Sequence, residues 1–354
     1  MPPSAIARPA LFAEALPRLG PRPLVAFHND ADGLSAGVIL VKTATARGQT
    51  PAMRIVGKGE NAFSPAFATE VQARHDSGEI TGLIIADLGV SSALSVGSLP
   101  VILVDHHEPT GYPTSATVIS GIADDPIPTS SLLAYRCAAT ILDPAPFLWL
   151  AAIGLIGDMA EGSGFAEMEA ARALGITALR KAAALINAPR RSASGDAMPA
   201  FDLLMKADGP KAVLDGRFPE TERLLAARDE VRRAVEDARK APPKIVGPVA
   251  LIRFSSPCQI HPLIAQSWTG RLRSDIVIAA NTGYRPGWVH FAARAPRGAD
   301  VLEFLEHVRP PGADEQYGKG HRAASGGALR HADWNLFVDR LGFGESMHAN
   351  EDTI

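Results

Sequence analysis

The sequence predicts an α/β protein: a doubly wound parallel-sheet domain, then a helical middle and a linker helix, then a smaller α/β C-terminal domain. Three observations lead there. Short apolar runs without internal alternation, such as Leu83-Ile84-Ile85-Ala86 and Val101-Ile102-Leu103-Val104, recur between helical stretches in the first third. Such runs mark parallel strands covered on both faces. Ionisable residues gather directly after these runs, where an open parallel sheet presents its ligand crevice. The chain has 354 residues, more than twice the roughly 150 expected of one domain.

In order, Leu24 to Phe27 reads as a strand and Leu34 to Arg47 as a helix with apolar residues at helical spacing. Met53 to Val56 is a second strand and Ala66 to His75 a second helix, followed by the two apolar strands already named. From Ser130 the pattern turns helical: Ser130 to Leu142, Phe147 to Ile156, and several helices to about Gly216. Pro219 to Lys240 is charged, with Leu224, Leu225, Val231 and Val235 at intervals that suit an exposed linker helix, ended by Pro242-Pro243. The second α/β unit has strands at Val249–Phe254, Ile276–Ala280 and Trp288–Ala292, and helices at Leu263–Leu272 and Val301–His307. There is no internal repeat and no low-complexity tract.

Hydrophobic residues make up 46% and charged residues 21%, an ordinary globular composition. No run approaches the roughly 18 apolar residues of a membrane helix. Prolines and Glu14 interrupt the N-terminal stretch where a signal peptide needs a continuous apolar core. Cys137 and Cys258 are the two cysteines. They are too few for a disulfide framework or a thiolate metal site, and read as small core hydrophobes in a reducing cytoplasm. A net charge of −3 argues against tight duplex binding and leans toward short or single-stranded substrates.

The chemistry lies in where acids and imidazoles fall. His28-Asn29-Asp30-Ala31-Asp32-Gly33 begins where the first strand ends, Asp87 follows the third, and Asp105-His106-His107 follows the fourth. Asp158 closes the helix Phe147 to Ile156. Singly, each has a mundane explanation; Asp32 before Gly33 suits a helix cap or a turn. Jointly, unpaired acids crowded into one cleft repel, so their convergence with imidazoles implies a cation. Mixed Asp and His ligands suit manganese, cobalt or iron better than magnesium. Six ligands are too many for one open catalytic ion and right for two that share a carboxylate. Such pairs lie roughly 3.5–4 Å apart, activate water between them and stabilise both oxygens of a phosphoryl displacement.

The segments His28 to Gly33, Asp87, Asp105-His106-His107 and Gly154 to Asp158 resemble, in order and spacing, the four catalytic motifs of the DHH phosphoesterase superfamily. The resemblance implies two divalent ions, manganese foremost with magnesium or cobalt as alternatives. His28, Asp30 and Asp87 would hold one, and Asp32, Asp87, His106 and Asp158 the other, with Asp87 bridging. It further implies that His107 meets the substrate phosphate and that Asp105 supports the histidines. Gly318-Lys319-Gly320-His321, followed by Ala323 to Gly327, resembles the glycine-rich loop of the substrate-binding domain in RecJ-like exonucleases and nanoRNases, with Lys319 in place of the usual middle glycine. Arg294, ending Val289 to Arg294, matches an arginine that binds substrate phosphate there.

The expected domains are a catalytic domain over 1–216, a linker helix over 217–245, a substrate-binding domain over 246–343 and a tail over 344–354. The expected function is a manganese-dependent exonuclease, hydrolysing single-stranded DNA or RNA, or short oligonucleotides, through a hydroxide that bridges the ions. A processive RecJ with its extra OB-fold is disfavoured by the available length and the lack of basic excess. The alternatives are hydrolysis of 3′-phosphoadenosine 5′-phosphate or of cyclic dinucleotides, and a non-catalytic DHH scaffold, although no metal ligand is missing. A family II pyrophosphatase is disfavoured by the glycine-rich segment. DNA against RNA, direction of digestion, protein partners and oligomeric state, a homodimer included, stay open.

Overall fold

The computed structural model describes residues 6–314 and 317–350, and at residues 6, 7, 319 and 321 the backbone alone. Two compact units form: Met1–Arg190 with Gly195–Ala226, and Arg191–Ser194 with Ala227–Ile354. The division falls inside the helix Pro219–Ala238, whose Leu224 is buried in a core of the first unit and whose Val231 and Ala238 are buried in a core of the second. The predicted α/β class is the observed one.

The first unit is built on a parallel sheet of strands β1 (Ile6–Ala7), β2 (Pro23–His28), β3 (Ala52–Val56), β4 (Gly82–Ala86), β5 (Val101–Asp105) and β6 (Ala116–Ser120), in spatial order β1-β6-β5-β4-β2-β3. The apolar runs are strands because each side chain of β4 and β5 is buried, odd positions on one face and even on the other. On one face Val25, Phe27, Ile84, Ile102 and Val104 meet helices, foremost Ala31–Ala46, Ser130–Ala138 and Leu148–Gly157. On the other, Leu24, Ala26, Leu83, Ile85 and Leu103 meet Phe67 and Val71 of the helix Pro65–Asp76. Each large apolar side chain buried in these layers adds roughly 1.5–3 kcal/mol before chain entropy is subtracted.

Strand order reverses at β2. The chain leaves β2 for β3 on one side, then crosses to β4 on the other and continues outward through β5 and β6. The connections after β2 and β4 therefore diverge and open a crevice at the carboxyl ends of these neighbours. His28 ends β2, Asp87 follows β4, and Asp105 ends β5.

The second unit carries a six-stranded sheet of β7 (Lys244–Val246), β8 (Val249–Phe254), β9 (Ile276–Arg285), β10 (Trp288–Arg294), β11 (Lys319–His321) and β12 (Ala324–Arg330), in order β11-β12-β10-β9-β8-β7. β8 and β9 pair in parallel through the helix His261–Thr269, and the remaining pairs are antiparallel. Phe291 stacks on Phe337 at 5.5 Å, in a core completed by Trp334 and Leu305.

Three expectations are corrected. The glycine-rich stretch read as a loop is a hairpin of β11 and β12. A side chain at Gly320 would lie 2.5 Å from the Ala324 carbonyl oxygen, so this close pairing requires glycine. Residues 344–350, expected as a tail, close the second core: Met347 and Ala349 are buried, and the Trp334 indole N–H donates to the Met347 carbonyl at 2.9 Å. The helix predicted from Leu34 starts at Ala31, which moves Asp32 from a turn into the first helical turn and leaves Asp30 as the cap.

Candidate metal centre

Four segments build the site in the first unit. At the end of β2 the chain enters the helix Ala31–Ala46, and Asp30 caps it by accepting from the Gly33 N–H at 3.0 Å through Oδ1. Its other oxygen, Oδ2, is 3.0 Å from Nδ1 of His28. Asn187 pins the same helix start, its Oδ1 accepting from the Ala31 N–H at 3.0 Å. Asp87 follows β4 with φ of 61°, a left-handed conformation that costs a non-glycine residue of order 1 kcal/mol or more and is concentrated at functional sites.

Asp87 is the geometric centre. Its Oδ2 lies 3.5 Å from His28 Nδ1 and its Oδ1 lies 3.4 Å from His106 Nε2. His106 Nε2 is also 3.3 Å from Asp158 Oδ2. Asp32, wholly buried, is gripped by the N-terminus of the helix Ser130–Ala138: its Oδ2 accepts from the Ser130 N–H at 2.8 Å and its Oδ1 from the Ser131 N–H at 3.0 Å. The Ser130 hydroxyl donates to Asp87 Oδ1 at 3.0 Å. Gly154, in the helix that ends at Asp158, leaves the space that Asp32 fills; a β-carbon there would lie 2.3 Å from Asp32 Oδ1.

Three groups of candidate ligand atoms emerge, His28–Asp30–Asp87, Asp32–Asp87–His106–Asp158 and Asp87–His106–His107, with Asp87 common to all. The atoms of each group lie within 4.8 Å of one another. The donor chemistry fits divalent cations. His106 Nε2 is buried yet has no hydrogen-bond partner among the described residues, although two carboxylates stand near it. A buried imidazole nitrogen left without a hydrogen bond beside acids is placed as a metal ligand would be.

The electrostatics agree. Burial, and then the charges of Asp87 and Asp158, push the Asp32 carboxyl well above its usual range. Burial and the Asp87 and Asp30 charges push Asp158 up to about 7. Burial alone would lower the two imidazoles, but the surrounding carboxylates outweigh it and raise His28 and His106 to about 10. Protons thus occupy the positive role that the acids demand, and cations compete with them for it.

Asp105 and His107 form a separate pair. Asp105 accepts from the His107 backbone N–H at 2.8 Å and faces His107 Nδ1 at 3.0 Å through Oδ1, while Oδ2 accepts from the Gly89 N–H at 2.7 Å. Burial opposes ionisation of Asp105, but these contacts outweigh it and hold its carboxyl below the usual range. The expectation that Asp105 supports both histidines narrows, because these bonds reach His107 and not His106. The His107 ring is half exposed, and it is the imidazole of this centre most open to solvent.

In the second unit, Arg294 pairs with Ala324 across β10 and β12, and Ala324 pairs with His321 across β12 and β11. One row of the sheet therefore carries Arg294 and His321, with Gly318 and Gly320 beside it. The side chains of Lys319 and His321 lie outside the described residues. Arg294 is part-buried, its Nη1 donating to the Ala293 carbonyl at 3.1 Å. Sequence reasoning missed Ser130, Ser131, Asn187 and Arg190. Nothing in their immediate sequence marks them, since each acts on a segment far away along the chain.

No family model matches the sequence, and no curated protein does. Among solved structures the chain is similar to RecJ of Thermus thermophilus in complex with Mn2+, with a TM-score of 0.68 and 20% identity over 94% of this chain and 53% of that one. The present chain thus spans about half the length of that RecJ. It is similar to a second exonuclease RecJ bound to manganese, with a TM-score of 0.64 and 21% identity over 94% and 92% of the two chains. It is also similar to the DHH domain of a member of a family of ribosomal proteins, with a TM-score of 0.64 and 16% identity over 94% and 88%. The chain therefore shares the fold of these RecJ and DHH-domain structures.

Proposed function

We propose that this chain is a divalent-metal-dependent phosphodiesterase that removes nucleotides from single-stranded or short oligonucleotides. The observation that carries the reading is Asp87, whose two oxygens face His28 on one side and His106 on the other. In this reading His28, Asp30 and Asp87 hold one cation, and Asp32, Asp87, His106 and Asp158 the other. When bound, two such ions acidify water and balance charge on the attacking and leaving oxygens of a phosphoryl displacement. The mixed imidazole and carboxylate set favours manganese, with cobalt or magnesium as substitutes.

The remaining residues bind and orient. Ser130 and Ser131 fix Asp32 from the backbone, and the Ser130 hydroxyl fixes Asp87. Asp105 holds His107 by Nδ1, which aims the opposite ring nitrogen away from the acid, free to donate to a substrate phosphate oxygen. Burial lowers the His107 pKa, but the Asp105 contact outweighs it and raises it, favouring that donor form. In the second unit, Arg294 and the backbone around Gly318 and Gly320 are the groups suited to bind phosphate. The fold shared with RecJ, whose structure is that of an exonuclease, supports nucleic acid as substrate. The net charge of −3 favours short or single strands over duplex.

The test is hydrolysis by metal-stripped protein, with and without manganese, of labelled single strands, blunt duplex, cyclic dinucleotides and 3′-phosphoadenosine 5′-phosphate. Single strands should be cleaved with manganese, less well with magnesium, and not in excess chelator. Turnover that survives chelation sinks the reading. Cleavage confined to the small nucleotides replaces the exonuclease with a nucleotide hydrolase on the same centre.

A further inference from the structure

At the end of β10 opposite Arg294, the sheet of the second unit sets a tryptophan between two arginines. β9 ends at Arg285 and β10 begins at Trp288, joined by Pro286-Gly287. Proline at the first central position and Gly287, with φ of 76°, at the second suit a type II turn, which brings Arg285 opposite Trp288. On its other side Trp288 pairs with Arg330, the last residue of β12. Directly paired residues point to one face of a sheet, so three strands place Arg285, Trp288 and Arg330 in a row. The guanidinium carbon of Arg330 lies 4.1 Å from the Trp288 ring centroid, and that of Arg285 lies 5.7 Å from it. Trp288 and Arg285 are half-buried, and Arg330 is exposed.

Neither guanidinium forms a hydrogen bond or an ion pair among the described residues. Other arginines of this unit do find acids, Arg309 meeting Glu306 at 3.4 Å and Arg322 meeting Asp300 at 3.2 Å. The ring quadrupole draws each arginine to Trp288, but it brings to one ring two like charges that no carboxylate offsets. An anion between them relieves that repulsion, and a guanidinium fork suits a phosphate. The indole and the guanidinium planes add flat surfaces on which a nucleobase stacks, and which an acidic side chain would leave unused. We propose that Arg285, Trp288 and Arg330 form a binding site for single-stranded nucleic acid, with the arginines on backbone phosphates and a base stacked against the row. β10 is seven residues long, so its two ends stand about 20 Å apart and the site is separate from Arg294. The proposal rests on the phosphodiesterase reading for the nature of the ligand, and gives that ligand a hold away from the glycine-rich hairpin.

The test uses the full chain, loaded with manganese and freed of excess ion, as wild type, Arg285→Ala/Arg330→Ala, Trp288→Ala and Arg330→Gln. The probe is a labelled phosphorothioate oligothymidylate of about 16 nucleotides, the upper end of single-strand site sizes, which keeps charge and bases while resisting cleavage. Fluorescence anisotropy is read across a salt series. The double variant should bind about 10-fold or more weakly, with the slope of log affinity against log salt reduced by about 1.4, at roughly 0.7 per phosphate contact on a single strand. Trp288→Ala should bind about 5-fold or more weakly with its slope nearly kept, because stacking releases no counterions. Arg330→Gln, at an exposed position, covers the case in which the double variant does not fold, and should reduce the slope by about 0.7. Wild-type affinity and slope in the folded variants overturn the proposal, as does a wild type that binds polyglutamate of matching charge as tightly as the oligonucleotide. A uniform loss in all variants with unchanged slope also overturns it, since the row would then only support the sheet. The expected slope losses in a protein that hydrolyses no phosphoester with manganese would leave this site standing and remove the enzymatic reading. Hydrolysis of single strands alongside unaltered binding by the variants would do the reverse.

Discussion

Asp87 is one residue with three constraints: a left-handed backbone, near-complete burial and two imidazoles facing its two oxygens. A turn-forming aspartate needs neither of the last two. Asp87→Ala should therefore fold, lose hydrolysis, and carry manganese well below the wild-type content by elemental analysis; wild-type metal content would remove it from the ligand set. Gly154 gives a second prediction, with an unusual sign. Glycine to alanine inside a helix ordinarily stabilises by about 1 kcal/mol. Here the added methyl would collide with Asp32 Oδ1 at 2.3 Å and with the Ser131 hydroxyl at 2.0 Å, both held in place by hydrogen bonds. Gly154→Ala should instead cost about 1–3 kcal/mol, as overpacking does, and loosen metal binding, read by denaturant melts and metal titration. An ordinary stabilisation would mean that this contact relaxes freely. The convergence of His28, Asp30, Asp32, Asp87, His106 and Asp158 was legible because strand ends of a parallel sheet share one edge. Arg190 and the Ser130–Ser131 cap were not, because a residue that contacts an acid some 100 or 160 positions away leaves no local pattern.

Elements were legible where burial imposed a pattern. β4 and β5 are covered on both faces and read as unbroken apolar runs. β12, Ala-Ser-Gly-Gly-Ala-Leu-Arg, has too few side chains to show a period, and its pairing with β10 and β11 is a matter of backbone approach. The helix His331–Arg340 was hidden likewise, since its burial rests on Trp334, Phe337 and Val338 amid charged neighbours. The helix His261–Thr269, which links parallel strands β8 and β9, offers a pH prediction. Burial first, and then the neighbouring charges of His290, Arg191 and Arg294, push the His261 pKa down to about 3. The folded chain keeps this imidazole neutral, whereas the unfolded chain protonates it below about 6.5. The unfolded state thus binds more protons between those values, and His261 withdraws stability as pH falls from about 6.5 toward 3, with no effect above. His261→Gln should flatten the acid limb of the stability–pH curve of the second unit relative to wild type. Parallel curves for the two proteins would show that His261 is not buried neutral.

At the scale of the molecule, the chain divides its apolar residues between two units, each with cores of its own. The proposed ligands all belong to the first unit; Arg294 and the glycine-rich hairpin belong to the second. This separation predicts how metal acts on stability. A cation that binds the native first unit and not the unfolded chain stabilises that unit by mass action, by about 2.7 kcal/mol at one hundred times Kd. Without cations the first unit must bury Asp32 beside the charges of Asp87 and Asp158, which push its carboxyl well above the usual range, so it should be the metal-sensitive part. The second unit's cores hold no candidate ligand group among the described residues. Scanning calorimetry of the full chain in excess chelator and in saturating manganese should therefore move one transition upward by about 5–10 °C, at roughly 2–4 °C per kcal/mol for a unit of this size, and leave the other in place. Limited proteolysis at temperatures between the two transitions, followed by mass spectrometry, assigns each transition to its unit. If manganese raises the transition of the second unit instead, the ion is held there and the proposed centre is wrong. If it raises neither, the acids around Asp87 do not form a metal site of useful affinity, and the phosphodiesterase reading falls with it.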